Sequence, residues 1–189
     1  SGRLRLTGVR VPADAVVARR VANAPDARGP LQAVWFGLCV SAVYLGIGEG
    51  TRGRVVRWAI DRRPGDGSAA VADLPSIQLR LGRIDAALRS ARILLLDVAR
   101  RADRTPAGDG AGLASVASDA TLAKLTATAA AVTATDEALR IAGGPGFLTG
   151  PLERAFRDAR AGLINPPLED VALSGFGRGL VERERAANG

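Results

Sequence analysis

The sequence predicts an all-α protein, an antiparallel helical bundle with a short β segment at its N-terminal end. Aromatic residues make up only 4% of the chain, and alanine, leucine and valine dominate its hydrophobic 47%. This composition favours helices packed closely through small side chains over a strand-rich sandwich. Apolar residues also recur at spacings of three and four in long segments bounded by proline or glycine, which is typical of bundle helices.

The first segment, residues 1–17, differs from the rest because apolar and polar residues alternate from Leu4 to Val11. Alternation of this kind predicts one or two short strands that turn at Pro12. A lone strand pair is unstable in water, so we expect these strands to belong to a sheet supplied elsewhere. The chain contains no methionine, so Ser1 is not a translation start. We therefore expect a processed product or a fragment of a longer protein.

The first predicted helix opens with an uncharged run from Gly29 to Gly48 and is closed by Pro64 and Gly65. A bilayer is crossed by about 20 apolar residues, so a membrane span has to be considered. We favour a central bundle helix, because the run contains four glycines and continues into charged residues without an interfacial break. We expect no membrane association and a cytoplasmic location, with Cys39 as a small buried hydrophobe.

The later helices are predicted from apolar stripes at helical spacing. Their ranges are 75–101, 113–142, 151–161 and 166–181, and a loop at 105–112 and a frayed polar tail from residue 182 complete the chain. The stripe of the second helix is Ile77, Leu81, Ile84, Leu88, Ala91, Leu95 and Val98. The stripe of the third helix is Leu122, Leu125, Ala129, Val132 and Leu139.

The charge pattern limits the function classes. The net charge is +7, and Lys124 is the only lysine among 26 basic residues. Arginine binds phosphates in a fork geometry, which suits a nucleotide cofactor or coenzyme A. Nucleic acid is not expected, because the basic residues are spread among acids and no aromatic platform accompanies them. The absence of histidine excludes serine–histidine or cysteine–histidine catalysis and histidine-ligated metals.

The segment 139–170, LRIAGGPGFLTGPLERAFRDARAGLINPPLED, is the most informative. A glycine turn there follows one helix, and the next helix begins at Pro151 with arginines nearby, so the corner suits a phosphate or diphosphate. A plain helix cap also explains Gly-Gly at this place. Ion pairs at spacings of three and four are expected along the following helix, among Glu153, Arg154, Arg157, Asp158 and Arg160.

Four segments together resemble the C-terminal part of acyl-CoA dehydrogenases, in the order of that family and over nearly the whole chain. They are GVRVP at residues 8–12, YLGIGEG at 44–50, PSIQ with LGRI at 75–84, and GGPG followed by PLER and RDAR at 143–160. The resemblance implies two parts, a remnant of the middle β-domain with a linker (1–28) and the C-terminal helical bundle (29–189). It also implies an FAD flavoprotein in which a carboxylate removes an α-proton from an acyl-CoA while the flavin accepts hydride from the β-carbon.

The resemblance further implies which residues bind the cofactor. Either Arg62 or Arg63 corresponds to the arginine that meets the FAD phosphates, although the family's Phe-Gly there is Pro-Gly in this chain. Gln78 corresponds to a position near the flavin. Gly143 and Gly144 correspond to a turn at the adenine end of an FAD held by a neighbouring subunit.

The sequence departs from the family pattern at other positions. Arg140 stands where the family usually has a glutamine near the adenine, so it counts as a candidate with altered contact. The catalytic glutamate of most members is replaced by the segment 165–167, Asn-Pro-Pro, and the alternative base position on the first helix holds Trp35 or Phe36. No catalytic residue is therefore assigned. Physically, Asn165 is predicted to cap the last helix, with Pro166 as its first residue and two acids in its first turn.

Three functions remain open at this point. The first is an FAD-dependent dehydrogenase of acyl thioesters, present here as its C-terminal part or as one subunit. The second is a non-catalytic oligomerisation or interaction module that has kept the bundle. The third is a flavin monooxygenase, because monooxygenases of this fold also vary the base position. The resemblance implies a homo-oligomer, dimer or tetramer, or a complementary chain that supplies the missing domains.

Overall fold

The computed structural model describes residues 3–16, 29–65 and 69–188. Most of these residues lie in five α-helices, which confirms the predicted helical bundle. The helices are α1 (Gly29–Asp61), α2 (Pro75–Arg104), α3 (Gly110–Ala142), α4 (Pro151–Ile164) and α5 (Glu169–Asn188). Short 3₁₀ turns lie at Ala13–Ala15, Val71–Asp73 and Gly144–Phe147.

Ion pairs between helices show how the bundle is arranged. The pairs join Arg52 to Asp85 (2.8 Å), Arg92 to Glu49 (2.7 Å), Arg80 to Glu137 (2.6 Å) and Arg101 to Asp119 (2.6 Å). In each pair of helices, residue numbers rise along one helix as they fall along the other, so α2 runs antiparallel to both α1 and α3. The helices α1 and α3 are therefore parallel to each other, and they pack in direct contact.

The apolar stripe predicted for α2 is confirmed. Ile84, Leu88, Ala91, Leu95 and Val98 are buried, and the remaining two members of the stripe pack against the same core. Large apolar side chains at alternating spacings of three and four leave only one face of a helix that can be buried, which is why the sequence predicts this helix well.

The stripe predicted for α3 is mostly wrong. Leu122 is 41% exposed, Ala129 is also exposed, and of the predicted set only Leu139 is buried. The buried face consists instead of small side chains, among them Ala120, Ala123, Ala127, Ala131, Ala134 and Ala138. Alanine lets helix backbones approach closely, and α1 meets this face with its own small residues. At Gly37, for example, an added Cβ would lie 3.1 Å from the Cβ of Ala120.

This alanine face predicts a strong response to overpacking. Ala131→Leu is expected to lower the free energy of unfolding by about 1–3 kcal/mol, because Ala131 is fully buried against the backbone of α1 near Gly48. Ala129→Leu is the matched control, since it makes the same change on an exposed position of the same helix. Urea titration followed by circular dichroism measures both. Equal destabilisation of the two variants would show that the alanine face of α3 is not its contact surface with α1.

Helix α1 is long and apolar enough to cross a membrane by length and composition alone. In the bundle, it contacts α2, α3 and α4 and buries ten residues, including Val34, Leu45, Val55 and Ala59. Polar residues on this face satisfy their hydroxyls internally: Ser41 Oγ donates to the Gly37 carbonyl at 2.6 Å. These contacts are those of a core helix in a bundle. The expectation that Cys39 is buried is wrong, because this residue lies on the exposed face of α1.

At the N-terminal end the predicted β segment is not shown, and at the C-terminal end the structure differs from the prediction. The described residues contain no strand: Leu4, Leu6, Val9 and Val11 lie exposed in a segment without regular secondary structure, which bends at Gly8. A strand needs a second strand to satisfy its backbone, so the alternating pattern is not enough by itself. The polar tail is helical rather than frayed, because α5 continues to Asn188.

Candidate functional site

We call the turn at residues 143–146, between α3 and α4, the glycine corner. Two of its positions need glycine, one because of its backbone conformation and one because of close packing. Gly143 ends α3 with φ +63°, a left-handed conformation that glycine adopts without strain, and its N–H donates to the Leu139 carbonyl at 2.9 Å. Gly146 is buried, and an added Cβ there would lie 2.9 Å from the Cβ of Ala142. Gly144 faces open space, since a Cβ added there would have no heavy atom within 4 Å.

Helix α4 begins immediately beyond this corner. Pro151 is its first residue and has no N–H, and the first α4 N–H that finds an acceptor among the described residues is that of Arg154, bonded to the Gly150 carbonyl at 3.0 Å. The N–H groups of Leu152 and Glu153 therefore remain available. Together with the positive end of the helix dipole, they favour an anion at this helix terminus.

A cavity of about 460 Å³ lies between the glycine corner and α1. From α1, it is lined by Arg54, Arg57 and Trp58, and the corner and the start of α4 form its other wall. A second groove of about 220 Å³ lies on the other side of Pro151 and is lined by Arg54 and Arg154 among others. We call Arg54, Arg57 and Arg154 the arginine corner.

No ion pair between described residues involves any member of the arginine corner, whereas many other arginines of the bundle are paired. Arg54 and Arg57 line the cavity from α1, and Arg154 lies in the first turn of α4 itself. Arginine forms paired, charge-assisted hydrogen bonds with phosphate oxygens. The site is therefore chemically suited to a diphosphate with an apolar or aromatic group beside it.

The predicted ion pairs along α4 form only in part. Arg157 pairs with Glu153 one turn earlier. Arg160 instead reaches across to Asp136 of α3 at 3.6 Å and stacks over the Phe156 ring at 3.4 Å. Of these contacts, the Arg160–Asp136 pair joins α4 to α3, while Arg154 stays unpaired within the described residues.

None of the six predicted cofactor residues is among the residues that line this cavity, although two of them adjoin its wall. Gly143 and Gly144 lie between the lining residues Ala142 and Pro145. Arg62 and Arg63 follow the end of α1 and are exposed; the Arg62 N–H donates to the Trp58 carbonyl at 3.0 Å. They lie close in sequence to the cavity wall without forming it.

The remaining two predicted residues are placed elsewhere. Gln78 is exposed in the first turn of α2. Arg140, in the last turn of α3, donates to the Asp136 carboxylate at 2.8 Å. That hydrogen bond, together with the charges of Asp136 and Glu137, raises the pKa of the Arg140 guanidinium. Arg140 is thus engaged within its own helix.

The residues missed by sequence reasoning are Arg54, Arg57 and Trp58. A signal existed, because residues 54, 57 and 58 lie on one face of a helix at spacings of three and four. The sequence of α1 alone does not show that this face lies against the glycine corner. The contact arises from the parallel packing of α1 and α3, which only the structure shows.

A second polar cluster surrounds the turn between α4 and α5. Asn165 does not cap α5 as predicted: it follows the last residue of α4, and α5 begins only at Glu169. The reason is that Pro167 disfavours helical backbone at Pro166, so the helix cannot start there. The Asn165 side-chain N–H instead donates to the Tyr44 hydroxyl of α1 at 2.5 Å.

Lys124 of α3 lies beneath this turn and is only 1% exposed. Its Nζ donates to three backbone carbonyls, those of Gly162 (2.8 Å), Asn165 (2.8 Å) and Pro167 (3.0 Å). Burial lowers the pKa of this ammonium group, and the charge of Glu169 opposes the shift. The described residues contain no group of three or more histidine, cysteine or acidic side chains that could hold a metal ion.

Comparisons with known proteins agree with this architecture. A protein of Bacillus subtilis (strain 168) that bears the provisional name acyl-CoA dehydrogenase is 33% identical over 137 residues, which is 72% of this chain and 35% of that protein. This chain therefore spans about a third of the length of that relative.

Solved structures share the fold. Butyryl-CoA dehydrogenase from Megasphaera elsdenii has a TM-score of 0.69 at 24% identity, over 82% of this chain and 39% of that one. Dibenzothiophene monooxygenase from Paenibacillus has a TM-score of 0.71 at 18% identity, over 82% of this chain and 41% of that one.

The sequence match to the family described as "Acyl-CoA dehydrogenase, C-terminal domain" extends from residue 38 to residue 164. It includes α2, α3, the glycine corner and α4, together with most of α1. The chain belongs to the acyl-CoA dehydrogenase family, in which it corresponds to the C-terminal helical domain.

Proposed function

We propose that this chain is the C-terminal, cofactor-binding part of an FAD-dependent oxidoreductase that acts on the CH–CH bond of an acyl thioester. The supporting observation is the arginine corner, where three arginines without ion-pair partners among the described residues line two adjoining grooves at the start of α4, beside a glycine turn. When bound, FAD supplies the flavin that accepts hydride. In this proposal, residues 29–189 form the helical domain, and residues 1–28 are the remnant of a β-domain and a linker.

The residues of the corner fit the ADP half of FAD. The cavity volume of about 460 Å³ is in the range of small-molecule sites. Arg54 lies between the two grooves and can reach either phosphate, with Arg57 and Arg154 on its two sides. Trp58 supplies an aromatic surface in the cavity wall, against which an adenine ring can stack.

The other cofactor assignments remain part of the proposal. Gly143 and Gly144 contact the adenine end of an FAD across a subunit boundary, and Gly144 has the open space that a close ligand requires. Arg62 or Arg63 contacts the outer side of the same diphosphate, and Gln78 lies near the flavin. The catalytic base is not assigned, because Asn165 occupies the turn where most family members carry a carboxylate.

A comparison of three ligands tests the proposal. FAD and ADP share the diphosphate, whereas riboflavin has the flavin ring and no phosphate. We expect calorimetry to show binding of FAD and ADP to the purified protein, competition between them, and weakening with added salt, because exposed charges are screened. Riboflavin should bind far more weakly. Absence of ADP and FAD binding up to millimolar concentration would contradict the proposal and leave the non-catalytic scaffold.

A second candidate function is a flavin monooxygenase. Two observations favour it: the turn after α4 carries Asn165 rather than a carboxylate, and the fold matches a monooxygenase structure as well as it matches a dehydrogenase. Turnover of an acyl-CoA with an artificial electron acceptor supports the dehydrogenase. Oxygen consumption that requires reduced flavin supports the monooxygenase.

We also propose that the chain works in an assembly, as a homodimer, a homotetramer or with a chain that supplies a β-domain. Large apolar side chains are exposed at several positions on α1 and on α5, and we propose that they form interaction surfaces. They include Trp35, Phe36 and Val43 on α1 and Val171, Leu173 and Leu180 on α5. Light scattering of the purified protein should give a mass of at least two chains; a monomer at 100 µM, about the concentration at which weak interfaces associate, would contradict this.

A further inference from the structure

The only lysine of the chain occupies a site that differs from those of its arginines. Lys124 is almost completely buried, and its ammonium group donates to three carbonyl oxygens, one in the last turn of α4 and two on the turn between α4 and α5. A buried charge is costly unless hydrogen bonds satisfy it, and here each donor has an acceptor within 3.0 Å. The amine therefore ties these three backbone carbonyls to α3.

The geometry explains why a lysine stands here. An ammonium group directs three donors from a single nitrogen, so it can gather three carbonyls that converge on one point. The five donors of a guanidinium group are fixed in one plane and spread over three nitrogens. Gly162 is near the end of α4, where carbonyls lack partners within the helix, and a cation there also complements the helix dipole.

The same turn places Asn165 on Tyr44. Asn165 lies between Gly162 and Pro167, whose carbonyls also accept from Lys124. Its side-chain N–H donates to the Tyr44 hydroxyl at 2.5 Å. Gly162 allows α4 to pack closely on this cluster, because a Cβ added there would lie 2.6 Å from Thr128 and 3.0 Å from the Tyr44 ring. Tyr44 is 4% exposed: its ring packs against Ala131 of α3 and Ala159 of α4, and the turn contacts its hydroxyl through Asn165.

We infer that Lys124 is the positioning residue of the α4–α5 turn, which it holds through three carbonyls so that the Asn165 amide is fixed against the Tyr44 hydroxyl. The inference goes beyond the proposed cofactor site, because this cluster is separate from the arginine corner. It does not depend on flavin binding. It concerns how the turn that replaces the family's carboxylate is kept in place.

Tyr44 is the only tyrosine of the chain, so the nitrotyrosine formed by tetranitromethane reports on the accessibility of this residue alone. Lys124→Met is expected to raise the nitration rate of Tyr44 about 10-fold or more, because it removes three charge-assisted hydrogen bonds. Amide hydrogen exchange should rise over residues 162–168 and stay unchanged in α1 to α3. Lys124→Arg is expected to resemble Lys124→Met, because the guanidinium group cannot converge on the three carbonyls.

The matched control is Arg140→Met, which removes the other cation of α3 from an exposed site. Tyr44 in this variant should be nitrated at the wild-type rate. Asn165→Ala keeps the three carbonyls and removes only the bond to Tyr44, so it should raise nitration without faster exchange over 162–168. Lys124→Gln, a smaller change that retains two donors, is used if Lys124→Met does not fold.

Two outcomes would overturn the inference. One is a wild-type nitration rate in a folded Lys124 variant, judged by unchanged ellipticity at the working temperature. The other is an even rise of amide exchange through the whole bundle, which indicates that Lys124 contributes only to global stability. Flavin is absent from every arm of the experiment, so failure here is distinguishable from failure of the proposed function.

Discussion

Leu88→Ala is expected to lower the free energy of unfolding by about 2–5 kcal/mol, a large fraction of the stability of a domain this size. Leu88 is 1% exposed and lies over Gly48, where α1, α2 and α3 meet. Removing its isobutyl group loses the transfer free energy and leaves a cavity. Gly48 has no side chain that could fill that cavity, and the alanine face of α3 is too short to collapse into it.

Leu79→Ala is the control for this prediction. It makes the same chemical change on the same helix, but Leu79 is 58% exposed, so an effect of about 0.5 kcal/mol is expected. Urea titration of the purified protein at one fixed concentration measures both variants, because assembly also contributes to stability. Equal losses would mean that the face assigned to the core of α2 is not buried against α1 and α3.

The contrast between α2 and α3 shows what the sequence can predict. In α2, leucines and isoleucines at helical spacing leave one possible buried face, and the structure confirms it. In α3, the same rule selects Leu122 over Ala123, although the alanine is the buried residue of the two. Burial of residues on α3 depends on how closely a second helix approaches it. That distance cannot be predicted from the sequence of α3 alone.

At the N-terminal segment and at the start of α5, the outcome likewise depends on neighbours that the local pattern does not include. The alternating pattern from Leu4 to Val11 is local, but a strand is a property of two segments, and the described residues offer no second one. The predicted start of α5 is wrong because a proline at the first helical position is favourable only where the next residue permits helical backbone. Pro166 is followed by Pro167, and that neighbour decides the outcome.

The candidate site is predictable where a single residue type is required by backbone conformation. Gly143 marks the corner because its φ of +63° favours glycine. The arginines are less predictable, since they are numerous and many of them pair with acids on neighbouring helices. Arg54 and Arg57 are distinguished from Arg52 by the helix face they occupy, and only the packing of α1 on α3 shows which face meets the corner.

The double variant Arg54→Gln/Arg57→Gln is expected to weaken ADP binding about 100-fold. A hydrogen bond to a charged group contributes about 1.5–3 kcal/mol, and the lower end applies to these exposed side chains. Stability should change by about 0.5 kcal/mol or less, because neither arginine has an ion-pair partner among the described residues. Calorimetry with ADP measures the affinity, and urea titration measures the stability.

The control is Arg100→Gln/Arg104→Gln, which removes the same two charges from exposed arginines near the end of α2. The antiparallel packing of α2 on α3 places that end next to the start of α3, away from the glycine corner. The net charge of the two double variants is identical, so a general attraction of the basic protein for nucleotides weakens equally in both. A specific diphosphate site loses affinity only in the corner variant. Equal losses would therefore assign ADP binding to net charge, and the arginine corner would no longer support an FAD site.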